Sequence, residues 1–149
     1  MTPSTSPKPP SAWTPEDLVV HRRPLLLLDA IQDVSEEKCT ALVHVDGSAW
    51  YADEHGAMPG WFGIELMAQT VSAYSGYQKR LRQLEPKIGL LLGALKYELT
   101  HPSFPAGQTL EVKAKLHFLD ETGLSAFRCE IRHQGHRVAC AMLKTFEPI

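Results

Sequence analysis

The chain has little that would tie it to nucleic acid, a membrane or a metal. Its formal net charge is only −2, and the densest basic group, Lys79-Arg80-Leu81-Arg82, reads as the wet end of a helix rather than a phosphate-binding face. The longest apolar stretches, around residues 25–28 and 88–95, fall far short of the roughly 20 residues that span a bilayer. No nucleic-acid or membrane partner is therefore expected. The first dozen residues are rich in Pro, Ser and Thr and lack the charged start and apolar core of a secretory signal. Residues 1–13 are expected to form a flexible tail. The three cysteines, Cys39, Cys129 and Cys140, are odd in number, widely spaced and set in strand-like segments, which suits buried thiols in a reducing, cytoplasmic setting better than disulfides. Metal-ligand spacing, a phosphate-binding glycine loop and a nucleophile elbow are all missing. Any catalysis should then need no metal and no cofactor.

What is present suits one ordinary domain over residues 14–149. Hydrophobic residues make up 44% and charged residues 21%, the usual mixture of a soluble globular chain. Thr14-Pro15-Glu16-Asp17-Leu18 combines a capping hydroxyl, a proline at the first helical position and acids in the first turn, so a short helix should start there and end before Pro24. Residues 25–34 read as a strand. Cys39, Ala41, Val43 and Val45 then alternate with Lys38, Thr40 and His44, the pattern of a half-buried strand. Residues 46–60 show no period and form a long loop, a common seat of function.

From Trp61 to about Leu84 the spacing turns helical, and through Ala73 the helix is apolar nearly all round except for Glu65, Gln69 and a few hydroxyls. Residues 88–98 form a dense apolar run expected to be a central strand. Three antiparallel strands should follow, the first alternating Leu110, Val112, Ala114, Leu116 and Phe118 with polar residues. One helix can be buried so fully only where a sheet wraps round it. The expectation is an α+β hot-dog fold, an antiparallel sheet around one long central helix.

Glu65 is the most informative residue for chemistry. A carboxyl little more than one turn into an apolar helix must be paired or change its proton affinity, and both suit a general acid or base. It is equally served by a quiet bond to Gln69, four residues on. Pro59-Gly60 precedes the helix, where free amides and the macrodipole favour an oxyanion, unless this is an ordinary helix start. His55 lies in the loop just upstream beside Asp53 and Glu54, with a side chain suited to proton transfer or simply a surface position.

Three segments together resemble the bacterial 3-hydroxyacyl-acyl-carrier-protein dehydratases, in particular the branch associated with aryl polyene synthesis, over residues 18–147. The first runs from Leu18 through His21-Arg22-Arg23-Pro24 to Asp29. The second and most specific is Met58-Pro59-Gly60-Trp61-Phe62-Gly63-Ile64-Glu65-Leu66-Met67-Ala68-Gln69. The third runs from Gly93 through Pro102, Pro105 and Gly107 to Leu110. The resemblance implies removal of water from a 3-hydroxyacyl thioester on acyl carrier protein to give the 2-enoyl thioester. It implies Glu65 as the acid, Gly60 as the donor to the thioester carbonyl, and a histidine from the partner subunit as the base. The histidine position of that family falls on Tyr51 here, with His55 four residues later. Either the loop takes another path and His55 supplies the base, or the base is missing. The acyl chain is expected in a tunnel along the helix, with Pro59, Trp61, Phe62, Leu66, Met67 and Gln69 contacting substrate. A homodimer, or a heterodimer with another hot-dog subunit, is the expected assembly. Two other functions fit the same pattern: an acyl thioesterase, and a non-catalytic partner of an active dehydratase.

Overall fold

A computed structural model describes residues 12–87 and 89–147. The expected tail falls mostly outside these residues. Trp13, assigned to the tail by composition, instead stands edge-on to Tyr77, with ring centroids 6.2 Å apart, and packs on the core. Helix α1 (Pro15–Leu18) forms for the reason its sequence gives: Thr14 Oγ1 accepts from the Asp17 amide while the Asp17 carboxylate accepts from the Thr14 amide.

Strand β1 (Ala30–Val34) pairs with β2 (Lys38–His44), and the chain then runs through a loop to the two-residue strand β3 (Met58–Pro59) and the long helix α2 (Phe62–Leu81). After it come β4 (Leu90–Leu99), the short β5 (Ser103–Phe104), β6 (Thr109–Leu119), β7 (Leu124–His133) and β8 (His136–Phe146). Six strands make one antiparallel sheet in the order β1-β2-β6-β7-β8-β4, while β3 and β5 pair separately. Helix α2 packs against β2, β6, β7 and β8. Leu66, Met67, Val71 and Ala73 meet inward residues such as Val43, Val112, Ala114, Ile131 and Leu143 in one core. Close approach is demanded at Gly76, where a Cβ would lie 1.9 Å from the Leu18 carbonyl oxygen. That glycine lets α1 rest on α2. The basic group at the end of α2 is engaged rather than merely wet, since Lys79 Nζ lies 2.8 Å from Glu147 and Arg80 Nε donates to the Asp17 carbonyl.

Three expectations need correction. Residues 25–29 lie outside β1: the Leu25 carbonyl and Leu27 amide bond to the Gln69 side chain and the Leu26 and Leu28 carbonyls to Arg23, and the chain first meets β2 at Asp29, whose amide donates to the Leu42 carbonyl. The run after α2 is an edge strand, not a central one: among the described residues β4 pairs only with β8, and Leu90 and Leu92 are 58% and 56% exposed. Ile88, which began that expected strand, lies outside the described residues. Phe118 is exposed because the β6–β7 register shifts between Leu116 and Phe118, ending the inward alternation there. Cys39 and Cys129 are buried free thiols, and Cys140 is a half-buried one.

Candidate active site

Glu65 sits in the first turn of α2, where a carboxylate complements the positive end of the helix. It is half-buried and lies where two cavities meet. One, about 410 Å³, is lined by His21, Leu25, Leu27, Trp50, Trp61, Phe62 and Glu65. The other, about 170 Å³, is more polar; His21, Glu65, Gln69, Ser72 and Ser125 are among the residues that line it.

The orientation of the carboxyl is set by Gln69. Its Oε1 accepts from the Leu27 amide at 2.8 Å, which turns Nε2 toward the Leu25 carbonyl at 2.8 Å and Glu65 Oε1 at 2.9 Å. Gln69 is 1% exposed, so it braces Glu65 and the 25–27 segment rather than facing a ligand freely. Glu65 Oε2 has no hydrogen-bond partner among the described residues.

An aromatic wall closes one side of the apolar cavity. Phe62 has Trp50 at 5.6 Å, Tyr51 at 5.9 Å and Trp61 at 6.0 Å between ring centroids. Trp50 is anchored by its Nε1, which donates to the Pro24 carbonyl at 3.0 Å. The aromatics offer a large apolar surface while leaving Trp61 70% exposed.

Other residues singled out in the sequence fall elsewhere. The Gly60 amide, expected to polarise a carbonyl, donates to the Pro102 carbonyl at 2.8 Å and so extends the β3–β5 pairing. A Cβ at Gly60 would lie 2.7 Å from that same oxygen, so the glycine is required by backbone approach. Among the described residues, the amides without a partner at this end of the helix are those of Trp61 and Phe62. Pro59 is held in β3. Leu66 and Met67 are wholly buried and face the core, not either cavity.

His55 lines neither cavity. Its side chain is 81% exposed, with Nε2 3.5 Å from Glu54 Oε1. Its own amide, with that of Ala57, donates to Asp53 Oδ1, and these two bonds hold the Asp53 carboxyl below the usual range. Within one chain the structure does not bring His55 to Glu65. Tyr51 occupies the position expected of a histidine, but its hydroxyl accepts from the Asp46 amide at 2.8 Å, and burial pushes its pKa up.

The residue that sequence reasoning missed is His21, which lines both cavities with Glu65. No periodicity marks it, because its turn is built by side chains bonding backbone. Arg22 Nη1 donates to the Val19 carbonyl at 2.7 Å, and Arg23 donates to the carbonyls of Leu26 and Leu28 at 2.7 and 2.6 Å. The signal available was the pair of arginines beside a histidine, outside any regular element.

Comparison with known proteins adds the family. The family model described as ApeP dehydratase matches residues 13–149. Among solved structures, the chain is similar to one from the dehydratase heterocomplex ApeI:P of Xenorhabdus doucetiae, at 28% identity, 92% coverage of both chains and a TM-score of 0.86. More distant likenesses show the fold alone. One is a hypothetical thioesterase protein with coenzyme A from Streptococcus pneumoniae (15% identity, 78% and 82% coverage, TM-score 0.62). Another is PaaI of the phenylacetic acid degradation operon of E. coli (16% identity, 78% and 81% coverage, TM-score 0.62). No curated protein sequence matches the chain.

Proposed function

The chain belongs to the ApeP dehydratase family, and from that premise we propose that it works in a hot-dog dimer that removes water from a 3-hydroxyacyl thioester carried on acyl carrier protein. The observation that carries this reading is the placement of Glu65. A braced carboxyl with one unpartnered oxygen stands in the first turn of the buried helix, between an aromatic-walled apolar cavity and a polar one.

In the reaction a base takes the proton at C2, the C–H electron pair becomes the C2–C3 double bond, and the C3–O bond breaks. Glu65 delivers the proton with which the hydroxyl leaves as water. Negative charge on the thioester carbonyl is met at the start of α2. The Gly60 amide being engaged, the amides of Trp61 and Phe62 are the ones free for that role. The apolar cavity suits the acyl group, and its aromatic wall favours a flat, conjugated chain over a flexible saturated one.

The base comes from the other subunit. His55 is the candidate when two copies of this chain pair, and its exposure in a single chain is what a residue reaching across an interface requires. Pairing through β4 is supported by its unpaired edge and exposed leucines. The ApeI:P complex of X. doucetiae pairs two different subunits, and the same arrangement here would let a different hot-dog subunit supply the histidine.

A second reading is favoured by the Tyr51 hydroxyl, held on the backbone where a histidine is expected. In it the chain supports an active dehydratase subunit without turning over substrate itself.

The test is purified protein, alone and coexpressed with a catalytic hot-dog subunit, given 3-hydroxyacyl-acyl carrier protein and followed by mass spectrometry. Formation of the 2-enoyl product supports the proposal, and free-thiol release in its place makes the protein a thioesterase. Turnover by the mixed dimer that survives Glu65→Gln in this chain establishes the supporting role. In a homodimer, activity unaffected by His55→Ala removes His55 from the mechanism.

A further inference from the structure

We propose that His21 is a substrate-binding residue of the Glu65 site, donating a hydrogen bond from Nε2 to the 3-hydroxyl oxygen of the bound acyl group. The inference rests on the dehydratase reading above and adds a second polar contact from the same chain.

Three observations carry it. His21 and Glu65 share the lining of both cavities, and no hydrogen bond or ion pair joins them, so each is open to a group bound in the space that they line. His21 Nδ1 is buried and has no partner among the described residues. A proton on Nδ1 would be a sealed donor without an acceptor, so the favoured tautomer carries its hydrogen on Nε2. That nitrogen is not sealed in the same way. Finally, the turn holding His21 is fixed on both sides: by Arg22 on the Val19 and His21 carbonyls, by Arg23 on those of Leu26 and Leu28, and by Gln69 on residues 25 and 27. A backbone held this firmly fixes the position from which the imidazole reaches the cavities.

The tautomer also decides what His21 does not do. With hydrogen on Nε2, the ring presents no lone pair to the cavity and cannot take the proton at C2. Its part is to fix the hydroxyl beside Glu65 and to stabilise charge on that oxygen as the C3–O bond lengthens.

The experiment uses the assembled protein and two pantetheine thioesters whose C2 hydrogens are replaced by fluorine, so that neither can be dehydrated. One bears the 3-hydroxyl and the other lacks it. Calorimetry should show the wild type binding the hydroxylated ligand about tenfold more tightly. His21→Leu should lose that preference while binding the deoxy ligand as before. His21→Gln, whose amide N–H falls near the position of Nε2–H, should keep most of it, and His21→Asn should not. A long-range proton–nitrogen spectrum of the wild-type imidazole should show the Nε2–H form.

A preference that survives His21→Leu, equal behaviour of the Gln and Leu variants, or an Nδ1–H spectrum overturns the assignment. Failure of the wild type to bind either thioester overturns the proposed function itself, which separates the two failures. Thermal unfolding of each variant identifies loss of fold, and the spectrum of the unmodified protein still decides the case if the variants do not fold.

Discussion

Replacing Gln69 with Leu tests whether the site is built as described, because the substitution nearly preserves volume and removes three hydrogen bonds together. The buried Leu27 amide loses its acceptor, while the Leu25 carbonyl and Glu65 Oε1 lose a donor in part-buried surroundings. An orphaned buried amide costs about 1–3 kcal/mol and each part-buried partner about 1 kcal/mol, so the total loss of stability is roughly 3–5 kcal/mol. For a chain of 149 residues, this lowers the midpoint of thermal unfolding by roughly 6–20 °C. Urea unfolding followed by tryptophan fluorescence measures it. Gln69→Glu is the companion variant: it keeps an acceptor for Leu27 but loses both donors and sets a second carboxyl against Glu65. A Gln69→Leu protein within about 1 kcal/mol of wild type, the scale of one ordinary net hydrogen bond, would refute the claim that Gln69 ties the 25–27 segment to the helix.

Other consequences follow from packing and burial. Gly76→Ala should destabilise by about 1–3 kcal/mol or more, since the new methyl meets a backbone oxygen that cannot rotate away; thermal unfolding checks it. Burial pushes the Cys39 and Cys129 thiols up to about 12, from 9.0. Only the unfolded chain ionises them between those values, so the stability they lend is complete below pH 9 and is lost as the pH climbs toward 12. Unfolding midpoints across that window should fall, and an alkylating reagent at pH 8 should label half-buried Cys140 ahead of the other two. Leu92→Lys on the open edge of β4 should shift sedimentation from dimer to monomer, whereas an unchanged dimer would place the interface elsewhere.

The fold was legible where one local rule decided the outcome. Thr14, Pro15 and Asp17 announced α1, the alternation of Cys39, Ala41 and Val43 announced β2, and the apolar belt around Glu65 announced a helix covered by a sheet. It was illegible where a distant group competed. Residues 25–28 have the composition of a strand, but the Gln69 amide takes the Leu25 carbonyl and the Leu27 amide, and Arg23 takes the carbonyls of Leu26 and Leu28. The leucines of β4 look like core because apolar composition does not distinguish a face turned to one's own helix from an exposed edge. The same division holds at the site. Glu65 and its bond to Gln69 follow from helical spacing of four. The engagement of Gly60 by Pro102 and the approach of His21 depend on pieces of chain about forty residues away, and no local pattern records them.

The assignment of the chemistry to the start of α2 is tested most directly by Glu65→Gln in a purified homodimer, in single-turnover conversion of 3-hydroxyacyl-acyl carrier protein to the 2-enoyl product. The substitution keeps size and one hydrogen-bonding oxygen for Gln69 but removes the exchangeable acid, so the rate should fall by about 10²–10⁴ with the unfolding midpoint little changed. A folded Glu65→Gln homodimer that converts substrate at the wild-type rate would contradict the account, because the carboxyl at the meeting of the two cavities would then have no part in the reaction.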